Sequence, residues 1–342
     1  MSSVRAPRKV TRVQDRDVPV NPVVVVDLDD AASVGRLAPA DRGTGVGILV
    51  GISRGPASEL SPVARRLDLT LVDGAADGCP EWAVPVRSVE ESVTGLEEAV
   101  RTTPLAASVL VHTLRVTADA DLDVAHGLFV ESCAYSMLLA GPEFARWRAE
   151  WPVRAVPPAD DPVLVRREDD VLFVTLNRPE RRNAVGHGVR DALVDALDLA
   201  VLDPTIAEVR VDGNGPVFCA GGDLDEFGTA PDVVTAHRIR LERSVAARID
   251  AVRDRVTVSV HGAGIGAGVE LPAFAACVVA APGTVLRLPE LAMGLIPGAG
   301  GTVSIPRRIG RWRAAYLALT GHELDAATAL AWGLVDEIAV AR

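Results

Sequence analysis

Two glutamates in the second half of the sequence, Glu270 and Glu290, lie beside glycine-rich segments. A carboxylate next to exposed backbone N–H groups is equipment for proton transfer at a carbonyl whose oxygen those groups stabilise. The first segment, HGAGIGAG (261–268), follows a strand-like run and precedes a helix start that carries Glu270. Small residues there leave N–H groups open where the helix dipole favours negative charge. A second small-residue loop, GPVFCAGGDLDEFG (215–228), also follows a strand and could offer another N–H. Taken singly, Glu270 reads as a helix-dipole partner and Glu290 as a solvated surface acid. The ordered combination of loops and carboxylates is what points to chemistry.

Other motifs compete. GISRG (Gly51 to Gly55) is formally G-x-S-x-G after a strand, which would expose Ser53 as a nucleophile backed by an acid and a histidine. Neither His112 nor His126 has a fitting loop context, so a plain strand-to-loop turn is the simpler reading. VVVVDLDD (23–30) resembles an acidic metal site at a strand end, on one cluster alone. Residues 262–267 satisfy G-x-G-x-x-A, as a dinucleotide-binding turn would. Too little chain follows to complete such a domain, and Glu290 does not end a β-branched strand. A dehydrogenase is therefore the third choice.

The positioning elements are legible as alternation. Strands are expected at 171–179, 206–214 and 255–262, with an amphipathic helix at 188–201, the pattern of a layered α/β domain. The earlier strand candidates are 22–30, 46–53 and 67–74. Ser88 and Glu91 form a capping box, and Thr103 and Pro104 suit N-cap and N1 of the next helix. A third helix runs through 121–140, with Ala125, Leu128, Phe129 and Cys133 on one face. Prolines and aspartates across 151–162 mark a linker. The organisation is thus a tail over 1–20, an α/β and helical region over 21–150, and a core over 163–342.

The 342 residues are 49% hydrophobic and 24% charged, with a net charge of −11, which argues against disorder and against a nucleic-acid partner. The four cysteines, Cys79, Cys133, Cys219 and Cys277, show no ligand spacing and read as reduced thiols. No run reaches membrane-spanning length and the N-terminal residues lack a signal core, so a cytoplasmic location is expected.

NRPERRNAV (177–185), FCAGGDLDEF (218–227), HGAGIGAGVEL (261–271), LPELAMGLIPGAGGT (288–302) and the stretch 310–338 resemble the successive signatures of the crotonase superfamily, the enoyl-CoA hydratase/isomerase family. The resemblance covers roughly residues 163–339. It implies a spiral of ββα turns, an acyl-CoA substrate, no cofactor besides the substrate's own coenzyme A, no metal, and a homotrimer or dimer of trimers. It also implies that the N–H groups of Gly222 and Ala267 form an oxyanion hole. Glu270 would activate water added at C3, and Glu290 would protonate C2. Arg181, Arg182, Ala184, Ala220, Asp223 and Leu224 fall at coenzyme-binding positions. Hydration of a 2-enoyl-CoA is the leading expectation. Isomerisation, thioester hydrolysis and a non-catalytic scaffold are the alternatives.

Departures from the family pattern are informative. Leu286 and Arg287 replace a common Phe-Gly pair, and Arg287 could pair with Glu290 and hold it ionised. Ala275 and Ala276 replace a common Cys-Asp pair. Relatives continue with helices that cover the site, whereas this chain stops at Arg342. Residues 102–150 resemble that helical region. The first half would then be a degenerate crotonase-like unit, the alternative being an unrelated α/β extension.

Overall fold

The computed structural model describes residues 22–35, 47–55, 62–74, 79–119 and 122–339. The tail over 1–20 lies outside them. The first half contains a separate parallel sheet, ordered β1 (Val23–Asp27), β2 (Ile48–Ser53), β3 (Leu69–Asp73), β4 (Val84–Val86), with the short helix α1 (Ala31–Gly35) after β1. Four helices follow: α2 (Val89–Thr102), α3 (Pro104–Asp119), α4 (Val124–Leu139) and α5 (Pro142–Glu150). Residues 152–161 form neither helix nor strand.

The second half opens with β5 (Val163–Glu168), β6 (Val171–Leu176), α6 (His187–Leu202) and β7 (Glu208–Gly213). After α7 (Val233–Glu242) and α8 (Val245–Ala251) come β8 (Val256–Val260), β9 (Ala263–Ile265) and the one-turn helix α9 (Ala267–Glu270). The chain continues through β10 (Cys277–Ala280), β11 (Val285–Arg287), α10 (Gly301–Thr320), β12 (Leu324–Asp325), α11 (Ala326–Trp332) and β13 (Glu337–Ile338). The main sheet runs β13-β10-β8-β7-β6-β5, parallel except for the β5–β6 hairpin, and a small sheet, β12-β11-β9, carries the returning edges. This order, each strand beside its predecessor with a returning second layer, is the spiral the resemblance implies. Register explains its stability: Leu172, Val209 and Val256 lie in one row and Val174, Val211, Val258 and Val278 in the next, all buried. A one-residue slip would turn every one of them to the opposite face.

One continuous hydrophobic core spans both halves. α3 lies along α10 and buries Ala106, Ala107, Leu110, Val111 and Leu114. Polar contacts lock the junction: Thr117 donates to the Thr302 carbonyl at 2.7 Å, and Arg311 donates to the carbonyls of Leu67 and Arg65 at 2.9 and 3.0 Å. No single helix among the described residues is long and apolar enough to cross a membrane.

Two local expectations are corrected. Pro104 does open α3, but the Thr103 hydroxyl donates to the Leu291 carbonyl at 2.9 Å instead of capping. The open N–H groups of Leu105 and Ala106 are taken by the Glu143 carboxylate, each at 2.9 Å. On α4 the Ala125, Phe129 and Cys133 positions are exposed. The buried face holds Gly127, Leu128, Glu131, Ser132, Tyr135, Ser136 and Leu138. Apolar content misidentified that face because its polar members have partners inside the protein. At Ser88 the N-cap half of the capping box stands, its Oγ accepting the Glu91 N–H at 3.2 Å.

Candidate active site

The glycine segment at 261–268 runs against the loop at 218–222 through backbone hydrogen bonds. Phe218 donates to His261, Cys219 to Ala263, and Ile265 back to Cys219, at 3.0, 3.2 and 2.9 Å. A Cβ on Gly268 would meet Cys219, so the small residues are needed for this approach. Asn183, fully buried, fixes the same loop from a third segment: its amide donates to the carbonyls of Asn214, Val217 and Phe218. These contacts bring Gly222 and Ala267 onto the wall of one cavity of about 210 Å³, together with Glu270 and Glu290. Neither the Gly222 nor the Ala267 N–H is taken by a protein acceptor among the described residues. Two open N–H groups on residues of one cavity wall supply the donors that a developing oxyanion requires.

Glu270 ends α9 and is buried, its Oε2 accepting the N–H groups of Ala299 and Gly301 at 2.8 and 2.9 Å. Burial pushes its pKa up to about 7, and those N–H bonds restrain the rise. Glu290 is buried as well, and its Oε2 has no hydrogen-bond partner. Burial first, then the neighbouring charges of Glu270 and Glu131, raise it well above the ordinary carboxylate range. Burial therefore brings Glu270 to titrate near neutrality and favours the protonated form of Glu290, a combination suited to acid/base catalysis.

Arg287 does not pair with Glu290. It donates to the Gly321 carbonyl at 2.8 Å and faces Glu323 at 3.8 Å, while its charge still acts on Glu290 toward ionisation, the weakest of the influences there. Arg181 forms a two-pronged pair with Asp223, at 2.9 and 2.6 Å, and reaches Asp225 at 2.9 Å. Asp223 lines the cavity; Arg181, Arg182, Ala184, Ala220 and Leu224 lie outside its lining. Arg182 and Leu224 are exposed, and Ala184 and Ala220 half-buried. Sequence reasoning missed Tyr135, Glu226, Arg240 and Gly298 in the wall. It also missed Glu131 just behind it, although a charged residue inside an apolar helix is a signal that it has a buried partner.

The competing motifs find other uses. Ser53 ends β2 and donates to Asp29 at 2.7 Å, which also accepts the Arg54 N–H at 2.7 Å. The G-x-G-x-x-A turn leads into a helix of four residues, not the long helix of a dinucleotide fold.

Residues 166–342, about half of the chain, match the family model described as enoyl-CoA hydratase/isomerase. The chain belongs to the enoyl-CoA hydratase/isomerase family. Over 176 residues it is 35% identical to the 2,3-dehydroadipyl-CoA hydratase of Escherichia coli K12, covering 52% of this chain and 68% of that relative. It is equally 35% identical, over 181 residues, to the 1,2-epoxyphenylacetyl-CoA isomerase of the same organism, covering 52% and 69%. A solved structure assigned to the enoyl-CoA hydratases, from Rhodopseudomonas palustris, superposes with a TM-score of 0.50 at 32% identity, covering 55% of this chain and 72% of that one. Crotonase-type enzymes thus include a hydratase and an isomerase at the same similarity to this chain, so the reaction must be argued from the site.

One crotonase-site glycine is open to a sharp test. Gly266 has φ +50°, and a Cβ there would collide with Glu290 Oε1. Gly266→Ala is expected to displace the Glu290 carboxyl and cut turnover by about 10²-fold, the lower range for losing an acid/base group. Steady-state rates with thermal melting as the folding control check this; wild-type turnover would show that Glu290 needs no support there.

Proposed function

We propose that the chain is an enoyl-CoA hydratase, adding water across the double bond of a 2-enoyl-CoA thioester. The observation that carries this reading is the pairing, on one cavity, of two buried carboxylates, one held by backbone N–H groups and one with an unpartnered oxygen, with two open backbone N–H groups. The thioester oxygen accepts from Gly222 and Ala267, which stabilises the enolate that forms when C3 is attacked. Ionised Glu270 takes a proton from the attacking water. Protonated Glu290 delivers its proton to C2, so both new bonds form on the face that the carboxyls share. An isomerase needs only one carboxyl to carry a proton between carbons; the presence of both favours hydration.

Steady-state assay with crotonyl-CoA and longer 2-enoyl-CoAs tests the reading. Loss of the conjugated enone absorbance with formation of the 3-hydroxyacyl product is expected. No loss with these substrates, together with a gain of that absorbance from a 3-enoyl-CoA, would replace hydration by isomerisation.

A further inference from the structure

The loop that holds Glu270 is held from its other side by a carboxylate from the first half of the chain. Glu131, on α4, accepts the Gly300 N–H at 2.7 Å and the Thr302 N–H and hydroxyl at 2.9 and 2.8 Å. Glu270 accepts those of Ala299 and Gly301. Four consecutive N–H groups at the start of α10 therefore alternate between two buried carboxylates, and each carboxylate fixes the peptide planes that orient the other's donors. We infer that Glu131 is a positioning residue of the active site, setting the place of the loop that holds Glu270. This inference rests on the acid/base reading of Glu270 and Glu290.

Geometry supports a function beyond packing. A single capping side chain takes one or two of the open N–H groups at a helix start; here two full carboxylates take four between them, side by side at a cost in desolvation and repulsion. Tyr135, one turn along α4, fills the space against Gly298 and lines the cavity, so α4 supplies both the wall and its support. The groups facing the pair are Glu290, Tyr135, Arg240 and Cys219. Arg240 stacks over the Tyr135 ring and donates to Ser132 and Ser136, which leaves Glu131 without a direct cationic partner among the described residues. Burial, and then the charge of Glu270, push Glu131 up to about 8, while its bonds from Thr302 and Gly300 oppose the rise. Once ionised, Glu131 in turn strengthens the hold of Glu290 on its proton.

The test compares full-length wild type, Glu131→Gln and Thr302→Val by pH-dependent kinetics. Each protein without substrate is also titrated by infrared difference spectroscopy of the protonated carboxyl band. For Glu131→Gln, kcat should fall about 10–100-fold with KM within a few-fold, since misplacing a catalytic group by about an ångström costs on that order. Its alkaline limb should move to lower pH, because Glu290 loses a negative neighbour. The infrared step near 8 should disappear. Thr302→Val, which removes one hydrogen bond to Glu131, should fold normally and move that step to higher pH. An infrared titration unchanged in Glu131→Gln, or an unchanged alkaline limb with wild-type kcat, overturns the inference. If Glu131→Gln does not fold, an unmoved step in Thr302→Val overturns it. Absence of hydration in wild type would refute the hydratase reading instead, and the infrared titration would still decide for or against Glu131.

Discussion

Glu270→Gln and Glu290→Gln are each expected to lower turnover of a 2-enoyl-CoA by about 10²–10⁴-fold while coenzyme A binding persists, the usual range for losing an acid/base group. Glutamine keeps the shape and at Glu270 keeps one oxygen for the Ala299 and Gly301 N–H groups, so the loss reports chemistry. The pH dependence follows from the same two groups. Activity should fall as pH drops below about 7, where Glu270 gains a proton, and fall again on the alkaline side as Glu290 loses its own. Stability runs the other way. Both carboxyls bind protons more tightly folded than unfolded. Their contribution is therefore complete below the ordinary carboxylate range and is lost as pH rises toward their folded values. At neutral pH a neutral amide escapes that loss, so Glu290→Gln should melt at or above the wild-type temperature. Kinetics and thermal melting from pH 5 to 9 check both statements. A variant that stays near wild-type activity would remove the two-acid mechanism.

The second half was legible because its motifs are local. A strand, a run of small residues and a helix start within a dozen positions, as in 256–271, leave few conformations, and alternating aliphatic residues set the register of β6, β7 and β8. The boundaries seen, such as Val256–Val260 inside the expected 255–262, differ only at strand ends. Glu131 was not legible for the opposite reason. Its partners, Gly300 and Thr302, are far along the chain, and a charge inside α4 signals a buried partner without telling which residues supply it. Arg181 misled in another way: side-chain type suits phosphate, but only the fold places Asp223 and Asp225 against the same guanidinium. Pairing between Arg287 and Glu290 failed likewise, since closeness in sequence across a strand end does not fix the side on which each side chain emerges.

A fragment beginning at Pro162 retains every motif of the family yet is expected to be insoluble, or soluble and inactive. Removing the first half strips α3 from α10, and α3 alone contributes Leu110, Val111 and Leu114 as buried side chains. At about 1.5–3 kcal/mol for each large apolar side chain, that loss is comparable to the whole stability of an ordinary domain, about 5–15 kcal/mol. Polar losses add to it. Gly300 and Thr302 would lose the Glu131 carboxylate, and the Leu291 carbonyl would lose the Thr103 hydroxyl. Buried groups left without partners cost about 1–3 kcal/mol each unless water reaches them. Water entering there would wet the loop that holds Glu270, so even a folded fragment should lose turnover. Co-expression of residues 1–161 as a separate chain should restore solubility and activity, because the contacts are side-chain and backbone pairings that do not need the 152–161 connection. Size-exclusion chromatography and enone-absorbance assays of the fragment, alone and co-expressed, decide the matter. An active, monodisperse fragment would mean that the second half completes its own site, and that the first half serves some separate purpose.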